Sequence, residues 1–285
     1  MSAVLERVRP PELELKPAPL PLRPPRPLTF ATYLAPSLHP LYAYLTAAVG
    51  ASLERPTRLI VGSSFDQILD GEVDFAFLCG LPYIRLARLD PVPVVPVVAP
   101  VLAPSRYQSR PVYYSDVIVN ADLPISRFEQ LQGHSWAYNE PDSNSGYLVP
   151  LYHLLSLGLT PDFFSRRVRT DFHANSIRAV ASGLIDASAV DSHLLAVFLH
   201  DHPELLSSLR VIDTLGPSSI QPLVASTRVS MSLQEDVREV ITSLRSSSHP
   251  MLERSLVHHF VPVQDHHYDD IRQMLKAVEA KDLRL

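Results

Sequence analysis

Residues 70–80, DGEVDFAFLCG, give the clearest indication of the fold because their pattern recurs in residues 182–192, SGLIDASAVDS. Each copy contains the end of a predicted helix, a glycine, two further residues, an aspartate and an apolar strand that ends in small or polar residues. Gly71 and Gly183 occupy the position at which a glycine in the left-handed conformation ends a helix. Two similar α/β units, one in each half of the chain, predict two lobes of similar construction.

The chain around both copies alternates between strand and helix patterns. Strands are predicted over residues 28–33, 57–61, 73–78, 113–120, 135–138, 209–215 and 222–226, and helices over 38–49, 64–69, 175–181, 232–246 and 269–281. Such alternation is typical of a mostly parallel sheet flanked by helices, so the predicted fold class is α/β. The prolines of the apolar run 92–104 exclude a membrane helix there and predict an extended chain at a sheet edge.

The order of these elements predicts that the second unit is inserted within the first. The first lobe is expected to contain residues 28–110 and 218–285, and the second residues 111–217, with a ligand cleft between the lobes. Residues 1–27 are rich in proline and are expected to form an extended or disordered tail.

Composition narrows the possible functions. Hydrophobic residues make up 46% of the 285 positions and charged residues 19%, which is typical of a folded soluble protein. The net charge of -5 and the lack of a lysine or arginine run argue against a nucleic-acid partner. The first residues lack an apolar core of signal-peptide length, so no direct membrane insertion is expected, and the start as written is typical of a cytoplasmic protein. No phosphate-binding loop or dinucleotide motif is present, and no cofactor is expected.

Ligands of open α/β sheets bind beyond the carboxyl ends of the strands, where helices begin. This rule gathers side chains from both predicted lobes at one place. The first lobe supplies Tyr33, Ser37, Cys79 and Tyr83, and the second supplies Ser143, Asn144, Ser145, Gly146, Tyr147, His173 and Asp191.

Residues 142–155, DSNSGYLVPLYHLL, place an unusual number of hydrogen-bonding groups at the start of a predicted helix. One such side chain is enough to cap a helix. The unpaired amides of a helix start carry about half a unit of positive charge, Ser143, Asn144 and Ser145 add donors, and Gly146 lets a ligand approach the backbone. This set predicts a site for a small tetrahedral anion such as a phosphonate, phosphate or phosphite. The alternative is an N-cap with more polar groups than it needs.

Three segments carry a resemblance to a known family: YNEPDSNSGYLVPLYHLL (residues 138–155), DFHANSIRAVASGLIDASAVDS (171–192) and GEVDFAFLCGLPYIRL (71–86). They resemble the phosphonate-, phosphite- and phosphate-binding proteins of ABC importers, a branch of the type II periplasmic binding proteins. The resemblance covers about residues 28–270. It implies a two-lobed fold, binding of a small phosphorus anion without catalysis, and importer membrane subunits as partners. It also implies a location outside the cytoplasm if a signal sequence has been removed.

The resemblance further implies roles for single residues of the second lobe. Ser143, Asn144 and Ser145 would hold the anionic head of the ligand, and His173 would donate a hydrogen bond to it. Asp191 would sit where the family recognises a substrate amine or the proton of a protonated anion.

In the first lobe, the resemblance implies that Tyr83 walls the cleft, with Tyr33 or Ser37 as its neighbour. The chain departs from the family pattern at Asn144, where a threonine is usual, and at Cys79, where a small or polar residue is expected. It also departs from the pattern in having no recognisable export signal.

Two alternative functions stay open at this point. The same fold supports enzymes that act on heterocyclic substrates, and Cys79 would then be a nucleophile with His173 as its base. The chain could instead be a cytoplasmic sensor of its ligand. The histidines at 258–259 and 266–267 invite a metal site, but their adjacent pairing and acidic neighbours favour a solvated loop.

Overall fold

The computed structural model describes residues 26–285, and the expectations for residues 1–25 lie outside this range. At the start of the described chain, Arg26 pairs with Asp74 at 2.6 Å. The described residues form two β-sheets with helices packed on their faces. The α/β class and the two-lobed architecture are thereby confirmed.

The strands are, in chain order, β1 (Leu28–Thr32), β2 (Thr57–Val61), β3 (Phe75–Phe77), β4 (Val94–Leu102), β5 (Val112–Asn120), β6 (Ser135–Tyr138), β7 (Arg166–Arg169), β8 (Ala187–Asp191), β9 (Leu209–Ser219), β10 (Leu223–Ser226) and β11 (Val257–Pro262). The α-helices are α1 (His39–Ser52), α2 (Asp66–Leu69), α3 (Gly80–Leu86), α4 (Val149–Ser156), α5 (His173–Ala181), α6 (Ser192–Asp201), α7 (Met231–Ser243), α8 (Pro250–Arg254) and α9 (Asp269–Glu279).

The six strands of the first sheet lie in the order β11-β4-β10-β3-β1-β2, and the five of the second in the order β7-β6-β8-β5-β9. We call the part of the molecule built on the first sheet the first lobe and the part built on the second sheet the second lobe. The first sheet takes its strands from residues 28–102 and 223–262, and the second from residues 112–219. The predicted boundaries between the lobes, near residues 110–111 and 217–218, stay a prediction.

Each of the two repeated units, residues 70–80 and 182–192, contains a buried strand between the end of one helix and the start of the next. Every residue of β1, β3 and β8 is buried, as expected for strands that are covered on both faces. Gly71 follows α2 with a φ of 78°, and Gly183 follows α5 with a φ of 73°. Both glycines therefore adopt the left-handed conformation that was predicted from the recurring pattern.

Both sheets are mixed, which corrects the expectation of mostly parallel strands. In the first sheet, β3, β1 and β2 are parallel, but β10 is antiparallel to β3 and β4. In the second sheet, β5 is antiparallel to β8 and β9, while β6 is parallel to β7 and β8. The reason lies in the inserted lobe: β5 carries the chain into the second sheet and β9 carries it back, so these strands run in opposite directions.

The proline-rich strand β4 does not lie at a sheet edge, which is a second correction. It is hydrogen-bonded to β10 on one side and to β11 on the other. The pairing with β10 shifts register between Val224, opposite Pro96, and Leu223, opposite Val98. An irregularity of this kind accommodates a residue without an N–H inside a sheet.

Two of the four clustered histidines lie in a strand and not in the predicted loop. His258 and His259 belong to β11, whose Val257 and Phe260 are buried beneath α7. The two histidines interrupt the alternation of apolar and polar residues, so the strand was missed. The other two histidines occupy a single 3-10 turn, Asp265–Tyr268.

The C-terminal helix α9 contacts both lobes. It packs on α3 of the first lobe and on α4 and β9 of the second. Asp270 of this helix accepts hydrogen bonds from Ser218 Oγ at 3.1 Å and from Ser219 N at 2.9 Å, both on β9. Met274 and Leu285 also pack against the core of the second lobe. The C-terminal segment therefore contacts both lobes, and its assignment to the first lobe stays a prediction.

Candidate ligand-binding cleft

A cleft of about 510 Å³ opens between the two lobes. Its walls are the loops that follow β1, β2 and β3 in the first lobe and β6, β7 and β8 in the second. These loops lie at the carboxyl ends of neighbouring parallel strands, where ligands of such sheets bind.

The cleft brings together some of the residues expected at the site and not others. Those that line it are Tyr33, Cys79, Ser143, Ser145, His173 and Asp191. Those that do not are Ser37, Tyr83, Asn144, Gly146 and Tyr147.

The polar segment of the second lobe forms a wide first turn of its helix. Residues Asn144–Leu148 make one π-helical turn that continues into α4, and π-turns are frequent at functional sites. Ser143 caps this turn, because its Oγ accepts a hydrogen bond from Gly146 N at 3.0 Å. The hydroxyls of Ser143 and Ser145 are both buried in the wall of the cleft. The backbone N–H of Asn144 donates to Cys79 Sγ at 3.3 Å, and this hydrogen bond joins the turn to the first lobe.

Gly146 is needed for packing behind the turn, and its contact with a ligand stays a prediction. A Cβ at this position would lie 2.0 Å from Asn139 Oδ1 and 3.0 Å from His173 Cε1. The absence of a side chain therefore lets the end of β6 and the start of α5 close in behind the turn.

His173 is the first residue of α5 and is buried beside the turn. Its Nε2 lies 3.2 Å from Ser145 Oγ, and its buried Nδ1 has no partner among the described residues. Burial lowers the pKa of His173 to about 4, against a smaller opposing effect of the Asp191 charge. The imidazole is therefore neutral at neutral pH.

Asp191 ends β8 and serves as the N-cap of α6. Its Oδ1 accepts from His193 N at 2.8 Å and from Leu194 N at 3.1 Å. Its Oδ2 accepts from the Nε2 of Gln221, a residue that follows β9 on the way back to the first lobe. Both oxygens of this carboxylate are thus already bonded to the protein.

Cys79 holds the equivalent position at the start of α3. Burial raises the pKa of the Cys79 thiol to about 11, so the sulfur is protonated at neutral pH. No hydrogen bond among the described residues joins it to His173, whose Nε2 faces Ser145. The nucleophile and base required by the enzyme alternative are therefore not paired in this structure.

Asn144 turns its side chain away from the cleft, contrary to the expected contact with the ligand. Its Nδ2 donates to the Tyr113 hydroxyl of β5 and to Ser218 Oγ of β9, both at 2.9 Å. As the first residue of the π-turn, it points back towards the strands that cross between the lobes.

Three other expected residues also lie outside the cleft. Tyr83 is buried on the face of α3 that packs against α9, and its hydroxyl donates to Asp265 Oδ1 at 2.6 Å. The hydroxyl of Tyr147 lies beside the backbone of Leu285. Ser37 sits in the 3-10 turn Pro36–Leu38, whose other two residues do line the cleft.

Several cleft residues were not predicted from the sequence. Asn139 and Glu140 directly follow β6, so the strand-end rule could have found them. Asn139 Oδ1 is buried without a partner among the described residues, and burial raises the pKa of Glu140. Val61 and Phe172 also line the cleft, and no sequence signal marked them because both are apolar.

The cleft has negative groups but no positive side chain among its described lining residues. Its carboxylates are Glu140, Asp142, Asp171 and Asp191. Asp142 pairs with Arg85 of the first lobe, and Asp171 pairs with Arg169 at 2.8 Å. An anion in this cleft would therefore be held by neutral hydrogen-bond donors and by the helix start.

Across residues 26–285, no group of three or more His, Cys, Asp or Glu side chains is arranged to hold a metal ion. His258 Nδ1 and His259 Nδ1 lie 2.7 Å apart, whereas His267 Nδ1 is engaged with the amide of Gln264. In the same part of the chain, no helix has the length and apolar character needed to cross a membrane.

Known proteins with similar structures share the fold. The binding-protein component of a phosphonate ABC transporter from Pseudomonas aeruginosa has a TM-score of 0.77 at 18% identity, over 90% of this chain and 87% of that one. A protein from Prochlorococcus marinus (MIT 9301), solved in complex with methylphosphonate, has a TM-score of 0.77 at 17% identity, over 88% and 98% of the two chains. These likenesses show the two-lobed fold of type II periplasmic binding proteins.

Sequence comparison shows the family. The phosphonates-binding periplasmic protein of Escherichia coli (strain K12) is 31% identical over 107 residues, which is 36% of this chain and 31% of that relative. The chain therefore spans about a third of that relative's length in the match. The family model described as "ABC transporter, phosphonate, periplasmic substrate-binding protein" matches residues 30–268. Because this match extends over most of the chain, the chain belongs to the family of periplasmic substrate-binding proteins of phosphonate ABC transporters.

Proposed function

We propose that this protein takes a small phosphonate into the cleft and delivers it to the membrane subunits of an ABC importer, working in the periplasm like the family to which it belongs. One observation carries the assignment of the site. The buried hydroxyls of Ser143 and Ser145, the start of a helix and the imidazole of His173 converge on one wall of the cleft.

Neutral donors are well suited to the oxygens of a phosphonate in this position. Ser143 Oγ already accepts from Gly146 N, which leaves its hydroxyl proton free to donate. The start of the helix adds a partial positive charge, although the backbone amides of Asn144 and Gly146 are already bonded to Cys79 Sγ and Ser143 Oγ. Closure of the lobes would exclude water and strengthen each of these hydrogen bonds.

His173 supports Ser145 when the proton of the neutral ring is on Nε2, because Nε2 then donates to Ser145 Oγ and leaves the Ser145 hydroxyl proton free for the ligand. The buried Nδ1, which has no partner among the described residues, is an acceptor in this tautomer. Binding without turnover is favoured by the same groups, because a histidine with a pKa of about 4 and a protonated thiol are weak as base and nucleophile.

The test is calorimetric binding by protein that has been unfolded, freed of bound ligand and refolded. The panel contains methylphosphonate, 2-aminoethylphosphonate, phosphite, phosphate and sulfate at neutral pH. We expect a phosphonate to bind with a Kd of about 1 μM or below, which corresponds to about -8 kcal/mol. Failure of every phosphorus anion to bind to folded protein would refute the proposal.

A double variant tests the placement of the site. Ser143→Ala with Ser145→Ala should weaken phosphonate binding at least about a hundredfold, since two charge-assisted hydrogen bonds are lost. Ser156→Ala, at the exposed far end of α4, is the matched control and should bind as the parent does. If the double variant and the control bind a phosphonate with equal affinity, the ligand does not contact Ser143 and Ser145 and the site assignment is wrong.

A further inference from the structure

The two walls of the cleft differ in chemistry. The second lobe presents the hydroxyl, amide and imidazole groups described above. The first lobe presents a wall that is mainly apolar: Leu34, Ala35, Pro36, Leu38, Val61, Phe65 and Pro82. An inorganic anion held by the second lobe would leave this apolar wall without a partner.

The polar groups of Tyr33, Ser63 and Ser64 in the first wall are already bonded within it. The Tyr33 hydroxyl donates to the carbonyl oxygen of Ser64 at 3.1 Å, and the Tyr33 ring packs on Phe65 at 4.9 Å between centroids. The Ser64 hydroxyl donates to Asp66 at 2.8 Å, and the amide of Ser63 donates to Gln67 at 2.9 Å. None of these groups needs a ligand to complete its hydrogen bonds.

Two large apolar side chains are exposed where the walls meet solvent. Val61 of the first lobe is 70% exposed and Phe172 of the second lobe is 48% exposed, and both line the cleft. Apolar groups exposed together at a binding site are typically covered when the ligand is bound. Closure over an apolar group would remove both from water.

The carboxylates of the cleft are not arranged as a pocket for an ammonium group. Asp142 and Asp171 have arginine partners, and both oxygens of Asp191 accept hydrogen bonds from the protein. Glu140 forms no ion pair with a described residue, so a single carboxylate is left for a cation.

We propose that the preferred ligand is a phosphonate whose organic substituent is apolar and longer than a methyl group. This inference rests on the proposed function. The phosphonate head lies on the second lobe, and the substituent lies against the first-lobe wall, where Val61 of the first lobe and Phe172 of the second lobe cover it. A cleft of about 510 Å³ has room for such a substituent.

A series of ligands tests the proposal by calorimetry: methyl-, ethyl-, propyl-, butyl- and phenylphosphonate. Each methylene that leaves water should tighten binding about fourfold, as expected from its transfer free energy. Propylphosphonate and 2-aminoethylphosphonate have nearly the same shape, and we expect the propyl compound to bind more tightly.

Variants at the mouth of the cleft locate the effect. Val61→Ala and Phe172→Ala should each reduce the ratio of butyl- to methylphosphonate affinity at least about twofold. Leu184→Ala is the matched control, because Leu184 is also 70% exposed but does not line the cleft. Its affinity ratio should equal that of the parent.

The possible outcomes separate the two proposals. If no phosphonate binds, the proposed function itself fails. If methylphosphonate binds but affinity does not rise with chain length, only the inference about the substituent is overturned. If 2-aminoethylphosphonate binds more tightly than propylphosphonate, the cleft selects an amine, and the inference is likewise wrong.

Discussion

The two repeated units follow one backbone plan but end in different residues. In each, a helix ends at a left-handed glycine, a buried strand follows, and a new helix begins at the edge of the cleft. The first unit places the neutral thiol of Cys79 there, and the second places the carboxylate of Asp191. The repeat therefore supplies the scaffold, while the residue at each strand end decides what that lobe offers. Four measurements test this difference between the two units.

Asp191→Ala should have the largest effect on stability. It removes the N-cap of α6 and leaves Gln221 without its partner across the lobes, which together should cost about 2–4 kcal/mol of unfolding free energy. Urea denaturation measures the loss. Asp191→Asn keeps an oxygen for the cap and should lose less than half as much. A loss below about 1 kcal/mol for the alanine variant would show that the cap and the link are dispensable.

Acid should destabilise the second unit through His173. The helix of the first unit begins at the exposed Asp66, whereas α5 begins at a buried imidazole. Because the folded pKa of His173 is about 4, below the unfolded value of 6.5, unfolding takes up a proton in this window. The stability is fully present above about pH 6.5 and is lost as the pH falls towards 4.

Urea denaturation of the parent at pH 7 and pH 4.5 should show a loss of about 2 kcal/mol that is attributable to this residue. The variant His173→Gln should lose correspondingly less over the same interval. His193 and His153, whose pKa values burial also lowers, should leave a residual slope in both proteins. Identical slopes would assign the whole pH dependence to other groups.

The two glycines should differ when each is replaced by alanine. Both have a positive φ, so each substitution should cost about 1 kcal/mol from backbone strain. At Gly71 the new methyl group would also lie 2.0 Å from Arg228 Nη1 and displace a side chain that donates to the Leu69 carbonyl at 2.7 Å. At Gly183 it would meet only Asn120 Nδ2 at 3.7 Å. Thermal denaturation should therefore give a lower Tm for Gly71→Ala than for Gly183→Ala. The reverse order would show that displacing the Arg228 side chain does not destabilise the protein.

Cys79→Ala should have the smallest effect. The thiol accepts one weak hydrogen bond from the Asn144 amide, so its loss should cost less than about 1 kcal/mol. The same variant should bind a phosphonate with an affinity close to that of the parent. If Cys79→Ala greatly weakens phosphonate binding without changing stability, the Cys79 sulfur contacts the ligand directly.

Much of the fold could be predicted from local patterns. The strands β2 and β6 begin and end at the predicted residues, and the left-handed glycines were placed correctly. The interior position of β4 could not be predicted, because it depends on pairing with strands more than a hundred residues away. The strand β11 was missed because two histidines interrupt its apolar pattern.

The candidate site shows a similar division. The predicted strand ends and the predicted helix start indicated which loops meet at the cleft. The positions of these loops follow from the order of strands and helices, which the repeated sequence pattern reveals. The direction of single side chains depends on distant contacts. Tyr83 turns towards Asp265, which accepts a hydrogen bond from its hydroxyl. Asn144 turns towards Tyr113 and Ser218, which accept hydrogen bonds from its Nδ2. All three acceptors lie far from their donors along the chain.

The helix α9 has a consequence for anyone who builds a phosphonate biosensor on this scaffold. The helix touches both lobes, and the last residue, Leu285, reaches Tyr147 in the turn beside the cleft. A fluorescent protein fused after Leu285 would therefore be attached to a segment that contacts both lobes, and it should disturb the packing between them. A small dye on an exposed residue of α9 should instead report a change at the contact between the lobes while leaving that packing intact.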